Sequence, residues 1–294
     1  MERISSRQNA IVKRFRELAR TTRPASSKGE PFARAGISTE VLLDGEHLLQ
    51  EALLCDVPIE IAVFSDRLLN NVLSPVARLA REVDERGGRV LAGSEQVLAA
   101  ISPVQHPSGV VAIARARAAD VRVVMATVTD LPLVVVLAGL QDPGNVGAIV
   151  RAAAAFGASG VVAIEGSANP FSWKALRGAM GGTFRLPVAS RGSLSEVAAS
   201  AHELGVRLVA AVPRGGTPLP KLDLREPTAI VLGGEGAGVP QTTMAAVQET
   251  VTIPMKAPVE SLNVAIAAAL ILYEATRQRQ EFPFPVSARP RGKA

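Results

Sequence analysis

The C-terminal half of the chain alternates short apolar runs with longer segments that fit a helical period. Near-continuous runs of Val, Ile and Leu are typical of strands buried on both faces, as in a parallel sheet covered by helices. The predicted strands are 133–137, 160–164, 184–188, 207–212, 228–232 and 250–253, and the longest predicted helix is 262–278. This pattern predicts an α/β fold built on a parallel sheet.

The N-terminal half carries a second, smaller α/β pattern. Ile11, Phe15 and Leu18 recur at spacings of four and three residues, which predicts an amphipathic basic helix over 5–20, followed by a loop over 21–36. Further strands are predicted at 41–43, 59–64, 89–91 and 109–114, with helices at 46–54, 68–86 (broken near Pro75) and 94–100. We expect an N-terminal domain at 1–115, a linker at 116–130, a main domain at 131–280 and a basic tail at 281–294.

Three loops of the main domain deserve inspection, because ligands of open α/β sheets bind beyond the carboxyl ends of the strands. The first loop, after Leu137, contains the turn signal Asp-Pro-Gly-Asn. Asn145 in this signal either caps the following helix or has a functional role, and the local pattern leaves both open. Arg151 lies six residues later in an otherwise apolar stretch, which favours a buried or ligand-facing role over a surface ion pair.

The other two loops combine glycines with isolated polar residues. After Leu232, four glycines surround Glu235, so that the backbone could approach a ligand while the carboxylate remains available as an acceptor. The spacing fits neither a Walker loop nor a dinucleotide-binding fingerprint. After Ile253, Ser261 is a good N-cap for the long apolar helix, whereas Asn263 in the first turn has no explanation from capping or packing.

The composition of the chain excludes several classes of protein and of site. The 294 residues are 48% hydrophobic and 20% charged, which excludes a disordered chain. Cys55 is the only cysteine and the three histidines are widely separated, so we expect neither a disulfide nor a metal site. The longest uncharged apolar run near the C-terminus, 264–273, is far shorter than a membrane span, and the start lacks a signal peptide. We therefore expect a cytoplasmic protein without membrane association.

The basic charge is concentrated at the two ends. The net charge is +5, but residues 1–34 hold nine Lys and Arg against three Glu, and residues 277–294 hold five against one. This asymmetry indicates a polyanionic partner, with nucleic acid favoured over a membrane. Charged termini that only keep the protein soluble would explain it as well.

Taken together, the loops resemble the SpoU (TrmH-like) family of RNA ribose 2′-O-methyltransferases, of the SPOUT superfamily. The resemblance rests on 142–151, on 174–182 followed by 184–188, and on 230–240 with 253–263, which occur in the right order and spacing. Segments 6–9, 43–46 and 105–110 are similar, more loosely, to the substrate-binding domain that often precedes the catalytic one. Two departures are that Gly234 stands where the family commonly has Asn, and that Ala179, Gly181 or Gly182 stands where it often has Ser.

The resemblance implies a fold, a cofactor and partners. The main domain would be an α/β trefoil knot with a parallel sheet, preceded by a smaller α/β RNA-binding domain. It would bind S-adenosylmethionine and RNA and work as a homodimer. The implied cofactor-binding residues are Leu232, Gly233, Gly234, Ile253, Met255, Ser261 and Leu262. The family's functional polar positions fall on Asn145, Arg151, Glu235, Ser261 and Asn263.

The implied reaction is methylation of a ribose 2′-hydroxyl. The family proposal gives Arg151 the role of base, but an arginine with a pKa above about 12 is effectively always protonated. We expect Arg151 instead to orient the ribose or its phosphate and to stabilise the forming alkoxide, while Asn145, Glu235 and Asn263 fix the geometry of the site.

Other functions stay open at this point. A non-catalytic RNA-binding protein of the same fold is disfavoured because all five polar positions are present. A small-molecule enzyme on an ordinary doubly wound sheet would not explain Asn145 and Arg151 together with Ser261-Leu262-Asn263. Ribosomal RNA is favoured over transfer RNA because a separate N-terminal domain suits a recognition task.

Overall fold

The computed structural model describes residues 2–20, 38–71, 74–105, 107–126, 131–234 and 238–279. Each half of the chain is organised around one β-sheet. The loop predicted over 21–36 and the tail over 281–294 lie outside the described residues. Among the described helices, none combines the length and the apolar character that crossing a lipid bilayer requires.

The N-terminal half forms a mixed five-stranded sheet with helices on both faces. Its strands are β1 (Glu2–Ile4), β2 (Ser38–Asp44), β3 (Ile59–Ser65), β4 (Arg89–Gly93) and β5 (Val110–Arg117), in the order β1-β4-β3-β5-β2. Its helices are α1 (Ala10–Arg20), α2 (Glu46–Leu54), α3 (Asp66–Leu69), α4 (Pro75–Glu85) and α5 (Glu95–Ile101). Strand β5 runs antiparallel to β2 and β3, whereas β1, β3 and β4 are parallel.

The C-terminal half forms a seven-stranded sheet whose described strand pairs are all parallel. Its strands are β6 (Leu133–Ala138), β7 (Gly160–Ile164), β8 (Val188–Gly192), β9 (Arg207–Ala211), β10 (Thr217–Pro218), β11 (Thr228–Gly233) and β12 (Glu249–Thr252). The order is β10-β12-β9-β11-β6-β7-β8. The helices are α6 (Val121–Met125), α7 (Pro143–Ala155), α8 (Trp173–Ala179), α9 (Gly182–Arg185), α10 (Leu194–Leu204), α11 (Gln241–Met244) and α12 (Val264–Gln278), with a 3-10 turn at Leu219–Lys221.

The predicted α/β class with a parallel main sheet is confirmed. Helices cover both faces of the C-terminal sheet, so its central strands β6, β7 and β11 are almost wholly buried. In the N-terminal half, the predicted break near Pro75 is also present, because Ser74 accepts a hydrogen bond from the backbone N–H of Ala77 and starts α4 there. The trefoil knot stays a prediction.

Two elements differ from the prediction. Helix α1 begins at Ala10, not at residue 5, because Asn9 accepts a hydrogen bond from Ile11 N–H and residues 2–4 pair with β4 instead. The strand predicted at 184–188 is wrong. Residues 182–185 form α9, whose first residue, Gly182, packs against α7, and strand pairing resumes only near Pro187, which accepts a hydrogen bond from Val161 N–H.

Residues 116–126 of the segment predicted as a linker, 116–130, include the end of a strand and a short helix. Strand β5 continues to Arg117, and α6 buries Val121, Val124 and Met125 against the C-terminal sheet. The two halves also touch elsewhere, since Glu51 in α2 accepts hydrogen bonds from Nε and Nη2 of Arg185 in α9, at 2.9 and 2.5 Å. The N-terminal half is therefore packed directly against a helix of the C-terminal half.

Candidate active site

A cavity of about 540 Å³ opens at the carboxyl edge of the C-terminal sheet. The loops that follow β9, β11 and β12 form its walls, and α12 closes one side with Val264, Ala267 and Ile271. The structure brings all seven sequence-predicted cofactor residues to its wall: Leu232, Gly233, Gly234, Ile253, Met255, Ser261 and Leu262. They come from three segments spread over about thirty residues of sequence, and they meet because parallel strands end at the same edge.

Two glycines of this wall are required by close backbone approach. A Cβ atom on Gly233 would lie 2.2 Å from the carbonyl carbon of Gly238, and one on Gly234 would lie 2.4 Å from the carbonyl oxygen of Gly139. The loop after β11 is thus packed against itself and against the loop after β6. The departure from the family's Asn at position 234 has a steric basis in this chain.

The cavity wall is mostly apolar. Aliphatic side chains such as Leu232, Ile253 and Ile271 line it, and Ser261 is the only hydroxyl-bearing side chain among the described lining residues. Polar recognition inside it must therefore come largely from backbone N–H and C=O groups of the glycine-containing loops. A cavity of this size, with apolar walls and a few backbone polar groups, fits a nucleoside-sized ligand.

Beside the cavity, the N-termini of two helices are joined by their asparagines. Nδ2 of Asn263 donates to Oδ1 of Asn145 at 3.1 Å. Asn263 is also the N-cap of α12, where its Oδ1 accepts hydrogen bonds from the backbone N–H groups of Ala265 and Ile266. Because the residues on either side of Asn263, Leu262 and Val264, line the cavity, the asparagine pair lies at its rim.

This arrangement corrects the capping prediction for Ser261 and rules out the capping alternative for Asn145. Ser261 does not cap the long helix, which begins two residues later than predicted, at Val264. Asn145 does not cap α7 either, because the side chain of Asp142 caps it by accepting a hydrogen bond from the backbone N–H of Gly144.

The capping carboxylate of Asp142 is itself held by an ion pair. Lys174 Nζ lies 2.8 Å from Asp142 Oδ1, and this ion pair lowers the pKa of the Asp142 carboxyl below its usual value.

The position of α7 is fixed by an unusually close helix crossing. A Cβ atom on Gly147 would lie 2.2 Å from the carbonyl oxygen of Ala175 in α8, and Gly178 faces the same contact. Only glycines allow the two backbones to approach so closely. The helix that carries Asn145 and Arg151 is thereby held against α8.

Arg151 lies away from the cavity, unlike the other described residues of the predicted polar set. It is exposed on α7 and does not line the cavity, so the buried alternative for this side chain is wrong. Six residues of helix put it about 9 Å along the axis from Asn145 and on another face. Its side chain makes no hydrogen bond or ion pair with the described residues. Glu235 lies outside the described residues.

The loop after β9 was missed by the sequence analysis. Val212 and Pro213 line the cavity, and Arg214 follows them directly. The signal was available, because the strand predicted at 207–212 ends at the same sheet edge and is followed by Pro-Arg-Gly-Gly, a turn sequence.

A family model and the curated relatives that match this chain all describe RNA methyltransferases. The model of the SpoU rRNA Methylase family matches residues 132–273. An uncharacterized tRNA/rRNA methyltransferase of Synechocystis is 34% identical over 94% of both chains. The 23S rRNA (guanosine(2553)-2′-O)-methyltransferase RlmP of Bacillus subtilis is 29% identical over 93% of this chain and 98% of its own.

Solved structures of methyltransferases superpose on both halves of this chain. An AdoMet-bound rRNA methyltransferase of Sinorhizobium meliloti has a TM-score of 0.77 at 28% identity, covering 94% of this chain and 97% of its own. The SpoU methyltransferase AviRb of Streptomyces viridochromogenes, in complex with AdoMet, has a TM-score of 0.78 at 26% identity, covering 93% and 99%.

Proposed function

The chain belongs to the SpoU rRNA methylase family, and we propose that it transfers a methyl group from S-adenosylmethionine to the 2′-hydroxyl of a ribose in RNA. The observation that carries this proposal is the cavity at the sheet edge, where seven residues of three separate segments meet beside the Asn145–Asn263 pair. The relative from Bacillus subtilis is named for the same 2′-O-methylation, on 23S rRNA.

The cavity fits the cofactor. Its apolar wall suits an adenosine, and the backbone groups of Gly233 and Gly234, which line the cavity, can serve as polar partners for base and ribose. When bound, S-adenosylmethionine supplies a methyl group activated by a positively charged sulfonium sulfur. The protein's own contribution is then to align the ribose hydroxyl with that methyl group.

Arg151 is the proposed orienting cation for the RNA. Its guanidinium is exposed and unengaged by the described residues, so it is available to a phosphate or a ribose oxygen. A planar fork of N–H donors can hold a phosphate in one orientation and stabilise negative charge on the attacking oxygen. Arginine does not accept the hydroxyl proton, which leaves to solvent in this scheme.

The asparagine pair is proposed to fix the geometry of the reacting groups. Asn263 is held by the two N–H groups that it caps and in turn holds Asn145, so both amides have defined orientations. Glu235 and Ser261 complete the proposed polar set, with Glu235 next to the cavity residue Gly234 in sequence.

Ribosomal RNA is the favoured substrate class. Support comes from the relative that acts on 23S rRNA, which matches nearly the whole chain, N-terminal half included. The N-terminal half, proposed as the RNA-recognition domain, is packed directly on the catalytic half through the Glu51–Arg185 pair. Transfer RNA is the alternative substrate.

A homodimer in the cytoplasm is the proposed working form. Helix α12 carries an exposed apolar stripe of Ile266, Leu270 and Tyr273, at spacings of four and three residues on one face. An apolar helix face of this kind favours burial against a partner, and a second copy is the partner that we propose.

The test is methyl transfer to RNA. Purified protein is incubated with S-adenosylmethionine labelled in the methyl group and, separately, with total ribosomal RNA or total transfer RNA from a strain lacking this protein. Incorporation into ribosomal RNA, mapped to one ribose, is the expected result. Incorporation into transfer RNA alone would support the alternative substrate, and cofactor binding without transfer to either would favour a non-catalytic RNA-binding protein.

A further inference from the structure

An ion pair joins two of the loops that surround the cavity, the one after β9 and the one after β12. Arg214, in the loop after β9, donates from Nη2 to Oε1 of Glu260 at 3.0 Å. Arg214 follows the lining residue Pro213, and Glu260 precedes the lining residue Ser261. The pair therefore stands at the entrance of the cavity, with one charge of each sign.

The described part of the cavity wall carries no charged side chain. None of the described lining residues is ionisable. The cofactor of the proposed function has an uncharged adenosine part and a methionine part that ends in a carboxylate and an ammonium group. Burying either charge without a partner is costly, so the adenosine part belongs inside and the charged end belongs at the entrance.

We propose that Arg214 and Glu260 bind the amino-acid end of the cofactor, Arg214 holding its carboxylate and Glu260 its ammonium group. This assignment rests on the proposed cofactor, which it deepens. A zwitterion needs one cation and one anion a few ångströms apart, and an arginine–glutamate pair supplies both. In the free protein the two side chains neutralise each other, and on binding each exchanges its partner for the opposite charge of the ligand.

The exchange costs little. The side chains of Arg214 and Glu260 are 72% and 78% exposed. Ion pairs this exposed contribute at most about 1 kcal/mol, so opening this one is a small penalty against two new charge-assisted hydrogen bonds. Before the ligand binds, the pair also links the loop after β9 to the loop after β12.

Lys256 is the rival cation at the rim. It follows the lining residue Met255, is exposed, and makes no ion pair with the described residues. The carboxylate of the same loop, Glu260, pairs with Arg214 instead, so Lys256 offers only one of the two charges. The pair is therefore favoured over Lys256 for a zwitterionic group.

The test compares two ligands that differ only at the amino-acid end. S-Adenosylhomocysteine carries the carboxylate and the ammonium group, and 5′-methylthioadenosine carries neither. Their dissociation constants are measured by calorimetry for the wild type and for Arg214→Met, Glu260→Gln, Lys256→Met and Arg225→Met. Arg225 is a matched control, because it pairs with Asp223 on the surface and lies in neither of these two loops.

We expect Arg214→Met and Glu260→Gln each to raise the dissociation constant of S-adenosylhomocysteine about tenfold, because each variant loses one charge-assisted hydrogen bond to it. Binding of 5′-methylthioadenosine should change by less than about twofold, and Arg225→Met should alter neither ligand. A merely structural role for the pair would weaken both ligands alike. That result, or a selective loss in Lys256→Met instead, would overturn the assignment. Failure of the wild-type protein to bind either ligand would overturn the cofactor itself, and the assignment with it.

Discussion

Asn263 and Asn145, 118 residues apart in sequence, are joined side chain to side chain at 3.1 Å. The bond ties the first turn of α7 to the N-terminus of α12. At the other end of the same helix pair, Thr276 Oγ1 donates to the carbonyl oxygen of Phe156 at 2.8 Å, where α7 ends. The two helices are thus fixed to each other at both ends, and the Asn145–Asn263 end is the one beside the cavity.

The two roles of Asn263 are separable by substitution. Asn263→Ser keeps a good N-cap but is too short to reach Asn145, whereas Asn263→Ala loses both interactions. We expect the alanine variant to lose about 1 kcal/mol more unfolding free energy than the serine variant in urea titrations. Both should transfer methyl groups about tenfold more slowly, as loss of one positioning hydrogen bond predicts. Wild-type turnover in Asn263→Ser would show that the bond to Asn145 does not serve the reaction.

Arg151→Lys tests the orienting role of the guanidinium. Lysine keeps the charge but lacks the planar fork, so single-turnover methyl transfer should fall by about tenfold or more. Because Arg151 is exposed, the unfolding free energy should change by less than about 0.5 kcal/mol, and cofactor affinity should be unchanged. Arg78→Lys, on the exposed face of α4, is the matched control. A normal transfer rate in Arg151→Lys would contradict the role.

Much of this architecture was accessible from the sequence. The strand at Gly160–Ile164 and the helix at Glu46–Leu54 have the predicted bounds, because their apolar periods are clear and their neighbours are turn residues. The residues implied for the cofactor meet at one cavity because they follow two strands, β11 and β12, that end at one sheet edge.

The errors arise where tertiary contacts decide between equivalent local signals. Ser261 and Asn263 are equally good N-caps, and Asn263 prevails in a structure where its amide also reaches Asn145. The alternation of Phe184, Leu186 and Val188 has a strand period, yet 182–185 form a helical turn packed against α7. The exposure of Arg151 could not be predicted either, because an apolar helix does not reveal which of its faces is covered.

Gly234→Asn would restore the residue that the family commonly has at this position. In this chain it should be destabilising by about 1–3 kcal/mol, because its Cβ would lie 2.4 Å from the Gly139 carbonyl oxygen and one loop must shift. Since both loops belong to the site, calorimetry should also show weaker binding of S-adenosylhomocysteine. Gly205→Asn is the control, because position 205 is left-handed, open and tolerant of asparagine. Equal stability of the two variants would contradict the steric argument.

The apolar stripe of α12 should hold the dimer together. Leu270→Asp places a charge in the middle of Ile266, Leu270 and Tyr273, and burying it against a second copy would be costly. We expect the variant to sediment as a monomer in analytical ultracentrifugation while keeping its unfolding midpoint in dilute solution. Leu54→Asp, which alters an apolar side chain 62% exposed on the N-terminal half, should leave the mass unchanged. A monomeric wild type would refute the proposed assembly.

We expect residues 1–34, the basic N-terminal arm, to contact RNA phosphates, but deleting the arm is the wrong experiment. Val12 and Phe15 of α1 are fully buried, so removal of residues 1–34 would open the N-terminal core. Arg16 and Arg20 are exposed, and their conversion to Gln removes charge alone. RNA affinity should fall, and the slope of log affinity against log salt should become shallower by roughly 0.7–0.9 per lost contact. The control is Arg78→Gln with Arg81→Gln on α4, also exposed. If the slope is unchanged in the α1 variant, or changes equally in the α1 and α4 variants, the basic residues of the arm do not contact RNA specifically and serve solubility alone.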